Sequence, residues 1–111
     1  MSERVVVTGL GFATPLGTDP DALWDAVLSG AGGVTAPQRL GPYNPPTQAV
    51  GEIQGETLAA LTEREPELAA SGDHRTWFAV AAADDAITHA GLKGADATEC
   101  GIVLGSGPGV H

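Results

Sequence analysis

The chain has 111 residues, the length of one small domain, and 42% of them are apolar, yet 18 residues are Ala and Val, Ile, Leu and Phe together number only 24. That is enough apolar side chain to fold and little from which to build a core. Fourteen acidic residues against five basic ones give a net charge of −9, which excludes the clustered cations that nucleic acid or an anionic membrane surface requires. No apolar run approaches the roughly 20 residues of a membrane span, and Met1-Ser2-Glu3-Arg4 lacks the charged-then-apolar layout of a signal peptide. A cytoplasmic chain is expected. The single cysteine, Cys100, excludes an internal disulfide framework and a multi-cysteine metal site; no cofactor or metal is expected.

Residues 4–8 read Arg-Val-Val-Val-Thr, a continuous β-branched run that suits a strand buried on both faces of a parallel sheet. Three glycines and a proline in residues 9–17 then forbid regular structure. Asp19-Pro20 predicts a helix start, and Leu23, Trp24, Val27 and Leu28 form one stripe of a helix over about 20–29 that Gly30 closes. Residues 31–49, broken by Gly32-Gly33, Gly41-Pro42 and Pro45-Pro46, predict a long loop of the functional or interface-forming kind. Val50-Gly51-Glu52-Ile53 suits a short strand, residues 56–64 a helix, and Pro66 a further turn over 67–70.

A longer helix is expected over about 74–90, with Asp73 as cap and Gly91 as terminator. In helical projection Ala79, Val80, Ala83, Ala86, Ile87 and Ala90 share one arc, with Asp84, Asp85, Thr88 and His89 opposite. Trp77, Phe78, Ala81 and Ala82 make the first half apolar on the other side as well. Such a helix must be approached closely from several directions, more than two strands and two helices can cover. Residues 101–105, Gly-Ile-Val-Leu-Gly, predict a second buried strand, followed by the glycine loop Ser106-Gly107-Pro108-Gly109. The order strand, helical excursion, strand predicts an α/β fold opening with a right-handed βαβ crossover.

Four features invite a chemical reading. Gly9-Leu10-Gly11-Phe12-Ala13-Thr14 suggests a dinucleotide loop, but the helix begins only at residue 20, too late to present its free amides to a pyrophosphate, so a structural tight turn is the better reading. Cys100 has Glu99 beside it and neither a basic neighbour nor a helix start to activate it, which favours a buried small residue over a nucleophile. His74 and His89 lack metal-ligand spacing, and with His111 they assemble no Ser/His/Asp set. The cluster Glu63-Arg64-Glu65-Pro66-Glu67 suits a solvated surface, with partner steering as its alternative.

Residues 4–17, Arg-Val-Val-Val-Thr-Gly-Leu-Gly-Phe-Ala-Thr-Pro-Leu-Gly, closely resemble the opening of the β-ketoacyl-acyl-carrier-protein synthase (ketosynthase) family. Trp24-Asp25-Ala26-Val27-Leu28-Ser29-Gly30 is similar to that family's first helix and its glycine end, and Val50-Gly51-Glu52-Ile53 to the segment after its variable loop. Residues 73–92 resemble its long buried helix, and residues 100–109 its next strand and glycine loop. The resemblance runs in order over essentially the whole chain.

It implies a thiolase-type layered α/β fold, two similar halves each built on a five-stranded, mostly parallel sheet. Residues 1–111 would supply only the first strands and helices of the N-terminal half, incomplete alone. It further implies decarboxylative Claisen condensation in fatty-acid or polyketide synthesis, with an acyl carrier protein as partner and a dimer as the complete enzyme. The nucleophilic Cys and the catalytic His would lie in the remainder of the ketosynthase, so no catalytic residue is expected here. What carries over residue by residue is the glycine loop beside the acyl pocket, with Gly107 and Pro108 as substrate-binding positions and Pro108 as a rigid wall or, alternatively, a loop stiffener. Three departures bear on substrate range and loop mobility: Val110-His111 for a Gly-containing pair, Gly41-Pro42-Tyr43 for a Phe-Asp segment, and Ala70-Ser71 for a basic pair. They leave room for a non-condensing chain-length subunit; a free-standing nucleotide-binding module is the third reading.

Overall fold

The computed structural model describes residues 2–38 and 49–107. Helix α1 spans Pro20–Leu28 and is started as its sequence dictates: the Asp19 carboxylate accepts from the Ala22 N–H at 2.9 Å, and Pro20 occupies a position whose N–H no helix uses. Ser29 ends it, and Gly30 turns the chain away at φ +78°. Two short strands follow, β1 (Val34–Thr35) and β2 (Val50–Gly51), paired antiparallel with Val34 opposite Gly51 and Thr35 opposite Val50. The 31–49 segment is therefore not loop throughout. A two-residue strand is too short to show a period, and it forms because Gly33 and Gly51 let the hairpin close on Pro15.

Helix α2 (Gly55–Arg64), helix α3 (Pro66–Ser71) and helix α4 (His74–His89) make the packed part of the molecule. Gly72, at φ +80°, makes the sharp turn between α3 and α4. The core is Ile53, Leu61, Trp77 and Ala81, with Leu58, Leu68, Ala69 and Phe78 packed against it. Trp77 is 2% exposed, and its indole N–H donates to the Leu61 carbonyl at 3.3 Å, which satisfies the one polar atom that its burial would strand. A 3₁₀ turn, Ala97–Glu99, capped by Asp96, leads into the last segment.

The two apolar runs expected as parallel strands carry no ladder among the described residues, whose one sheet is the β1–β2 pair. Residues 4–8 and 101–105 do not pair with each other, so the βαβ unit is not closed. A central strand needs a neighbour on each side for its amides and a layer on each face for its side chains. Here Val5 and Ile102 are each 93% exposed. The apolar stripe of α1 is likewise uncovered at Trp24, Val27 and Leu28.

The glycines after the first run have a different purpose from a nucleotide cradle. A Cβ on Gly9 would overlap the Ala86 carbonyl oxygen and lie 2.8 Å from the Ala90 nitrogen; one on Gly11 would overlap the Ala82 carbonyl. Residues 9–11 thus lie directly on the alanine face of α4, and the Leu10 N–H donates to His89 Nδ1 at 3.0 Å. Beyond them Thr14 and Gly17 exchange backbone hydrogen bonds of 3.2 and 3.0 Å in the tight turn that the sequence suggests.

The accessible surface is 8546 Å², against about 5,700 Å² for a folded monomer of this mass. The radius of gyration is 16.5 Å, where about 13 Å would describe a compact domain of this length. Gly11→Ala should lift residues 9–11 off α4 and destabilise the chain by about 1–3 kcal/mol, whereas Gly101→Ala, with nothing within 4 Å of the added carbon, should leave the denaturation midpoint unchanged. Denaturant titration of both variants checks this.

Candidate functional site

The glycine loop at the end of the described chain is held from α4. Arg75, the second residue of that helix, donates from Nη1 to the Gly107 carbonyl at 3.0 Å, and Ser106 Oγ approaches the same oxygen at 3.2 Å. Arg75, Thr76, Ala79, Val80 and Ala83 of α4 face Ile102, Leu104, Gly105 and Ser106 across a mainly apolar cleft of 330 Å³. Gly107 is exposed. Pro108, like Val110 and His111 after it and residues 41–43 before it, lies outside the described residues.

The helix end that carries Arg75 is well fixed. Asp73 accepts from the Thr76 N–H at 3.1 Å through Oδ1 and from the Thr76 hydroxyl at 2.7 Å through Oδ2. These two bonds, the hydroxyl first, hold the Asp73 carboxyl below the usual Asp range. Ser71, where the family resemblance leads one to expect a base, donates to the Leu68 carbonyl at 2.6 Å and accepts from the Asp73 N–H at 3.1 Å. It therefore builds the α3–α4 junction.

Among the described residues, none of the other sequence candidates forms a reaction centre. Cys100, expected to be buried, is exposed, with Sγ 3.8 Å from the Asp96 carbonyl; the apolar run beside it has no covering layer, so nothing encloses the thiol. His74 packs its ring against Trp77 and Phe78, with centroids 5.5 and 5.6 Å away. His89 is taken up by Leu10. Among the described residues no three His, Cys, Asp or Glu side chains converge to hold a metal, and no helix is long and apolar enough to cross a membrane.

The cluster at residues 63–67 is largely exposed, as its charge suggests, except that Arg64 turns toward α4. Its guanidinium meets Asp85 at 2.9 and 3.2 Å and Asp84 at 3.5 Å, while Lys93 meets Asp84 at 3.3 Å. The hydrogen bonds to Asp85 raise the Arg64 pKa further above its ordinary value. Two residues escaped the sequence reading: Arg75, and Glu52, which is buried and accepts from the Gln38 N–H at 2.8 Å, drawing the loop after β1 onto β2. A lone Arg early in a helix and a Glu just after a short strand have no sequence signature.

The described residues thus form a lobe that can wall a pocket and carries no assembled nucleophile and base. Residues 2–111 match the family Beta-ketoacyl synthase, N-terminal domain, and the chain belongs to that family. It is 36% identical over 98 residues to the tetracenomycin polyketide synthase ketoacyl synthase beta subunit of Streptomyces glaucescens, covering 88% of this chain and 24% of that protein. It is 34% identical over 113 residues to a putative polyketide beta-ketoacyl synthase 2 of Streptomyces cyaneus (97% and 26%), and 31% identical over 111 residues to the chloroplastic 3-oxoacyl-[acyl-carrier-protein] synthase II of Arabidopsis thaliana (96% and 20%). The chain spans about a quarter of the length of these relatives. No solved structure matches it.

The Asp73 cap has a pH signature. A carboxyl whose pKa is lowered by folding stabilises the fold above its unfolded pKa, and that contribution is lost as pH falls through the folded one. Amide exchange at Thr76, corrected for its intrinsic pH dependence, should therefore accelerate on acidification below the ordinary Asp range. In Asp73→Asn, which caps without titrating, that acid-dependent step should vanish.

Proposed function

We propose that the chain is the N-terminal portion of a β-ketoacyl-acyl-carrier-protein synthase and acts only together with the remainder of that enzyme, as part of a thiolase-type fold. The reaction is acyl transfer. An acyl group passes from an acyl carrier protein to a cysteine thiol, a malonyl thioester loses carbon dioxide, and the resulting carbanion attacks the acyl carbon to lengthen it by two carbons. The thiol, the oxyanion hole and the histidine donors belong to the remainder. This chain contributes the wall of the acyl pocket at Gly107 and Pro108, and the complete enzyme works as a cytoplasmic dimer.

One observation carries this reading: a family match over residues 2–111 in a chain whose apolar runs, Val5-Val6-Val7 and Ile102-Val103-Leu104, stand uncovered. Side chains of this kind are stable in water only when another layer removes them from it. The pieces agree: the same residues that resemble a sheet interior lack the rest of the sheet.

A second reading has its own support. The Streptomyces glaucescens relative is named a beta subunit, which favours a ketosynthase-like chain that does no condensation and shapes the pocket of a companion subunit. The residue at the nucleophile position of the remainder separates the two, Cys for condensation and Gln or another residue for the subunit. A nucleotide-binding module has no comparable support, because Gly9 and Gly11 are filled by α4; NAD or ATP should leave the melting temperature unchanged.

The decisive experiment is amide exchange on the 111 residues alone and again after addition of the remainder. Weak protection across residues 4–8 and 101–105, rising on addition together with the onset of condensing activity, is the expected result. Uniform strong protection and a sharp monomeric melting transition in the isolated chain would overturn the proposal.

A further inference from the structure

We infer that Arg75 is a positioning residue for the glycine loop, and that by holding the Gly107 carbonyl it sets the reach of the acyl pocket and so the chain length the enzyme prefers. This rests on the reading of that loop as the pocket wall.

The loop has few other means of holding its place. A Cβ added at Gly101, Gly105 or Gly107 would meet nothing within 4 Å, so no close neighbour locks those three glycines in place. Glycine also leaves its backbone freer than any other residue would. What reaches it from the rigid part of the molecule is the Arg75 guanidinium, 3.0 Å from the Gly107 oxygen. A donor that carries full charge binds a carbonyl more tightly than a neutral one. Arg75 departs from the first turn of a 16-residue helix whose end is pinned by Asp73, so the anchor itself is firm.

Geometry converts that anchor into a width. Arg75 lines the same cleft as Val80, Ile102 and Leu104, with α4 on one side and the 102–106 segment on the other. The bond to Gly107 closes the far end of that segment onto the helix. Without it the 102–107 segment can swing outward from α4. A guanidinium is suited to this because its planar fork keeps direction, whereas a lysine ammonium is a point charge on a flexible stem.

The test uses the complete ketosynthase carrying Arg75→Gln or Arg75→Lys, with Thr88→Ala as a control on the same helix away from the loop. Saturated acyl thioesters of rising length compete in one assay, and the ratio of kcat/KM for long over short donors is read. Arg75→Gln should change that ratio by about three- to tenfold, the range for loss of one solvent-exposed hydrogen bond of ordinary net strength. Arg75→Lys should fall between Gln and wild type, and Thr88→Ala should keep the wild-type ratio. Amide exchange at Ser106 and Gly107 should quicken in Arg75→Gln alone. Should Arg75→Gln not fold, Arg75→Lys carries the same ratio test. A wild-type enzyme that elongates donors, while its Arg75 variants keep the same ratio, overturns the inference. A wild-type enzyme that elongates none overturns the underlying reading, and the inference with it.

Discussion

Helix α4 has apolar side chains around most of its circumference, and each face asks for a different neighbour. Trp77 and Ala81 pack on α2 and α3. Ala82, Ala86 and Ala90 receive the backbone of residues 9–11 at a distance that only glycine permits. The third face, with Val80 and Ile87 each more than two-fifths exposed, has the open 102–106 segment across the cleft from Val80. Cover on two of three faces explains the thin core, the large surface and the extended shape together. The hydrophobic effect scales with the apolar area removed from water, and here much of that area stays wet.

The same incompleteness organises the polar groups. Where the chain is packed, its buried polar atoms are answered: the Trp77 indole by Leu61, the Glu52 carboxylate by Gln38. The ion pairs of Arg64 and Lys93 with Asp84 and Asp85 lie on the half-exposed polar side of α4, where such pairs contribute little on their own. They orient α2 and the α4 terminus without adding a core. Among the described residues, the glycine loop is reached from α4 by the Arg75 guanidinium, which donates to the Gly107 carbonyl.

The chain belongs to the ketosynthase family, and its described residues hold no assembled reaction centre. A nucleophile must be activated by neighbours held within hydrogen-bond reach, and neither Cys100 nor His74 nor His89 has them. Each is instead explained locally, as a surface thiol, an aromatic neighbour of Trp77 and a partner for the Leu10 amide.

Local signals were legible in the amino-acid order by itself. Asp19-Pro20 and Gly30 bounded α1, and Asp73 and Gly91 bounded α4 to within a residue, because caps and terminators act over three or four positions and need no tertiary partner. The apolar circumference of α4 was equally readable, and with it the need for more neighbours than the chain provides. What tertiary structure decided were relations between distant segments. Residues 4–8 and 101–105 have the composition of strands and no ladder, since a strand is made by its neighbours and not by its own sequence. Cys100 is exposed for the same reason. The contact of Gly9 and Gly11 with α4, the hairpin of β1 and β2, and the hold of Arg75 on Gly107 join residues far apart in the chain. Such a contact leaves no mark on local periodicity, because its energy depends on the distance and direction that the fold imposes.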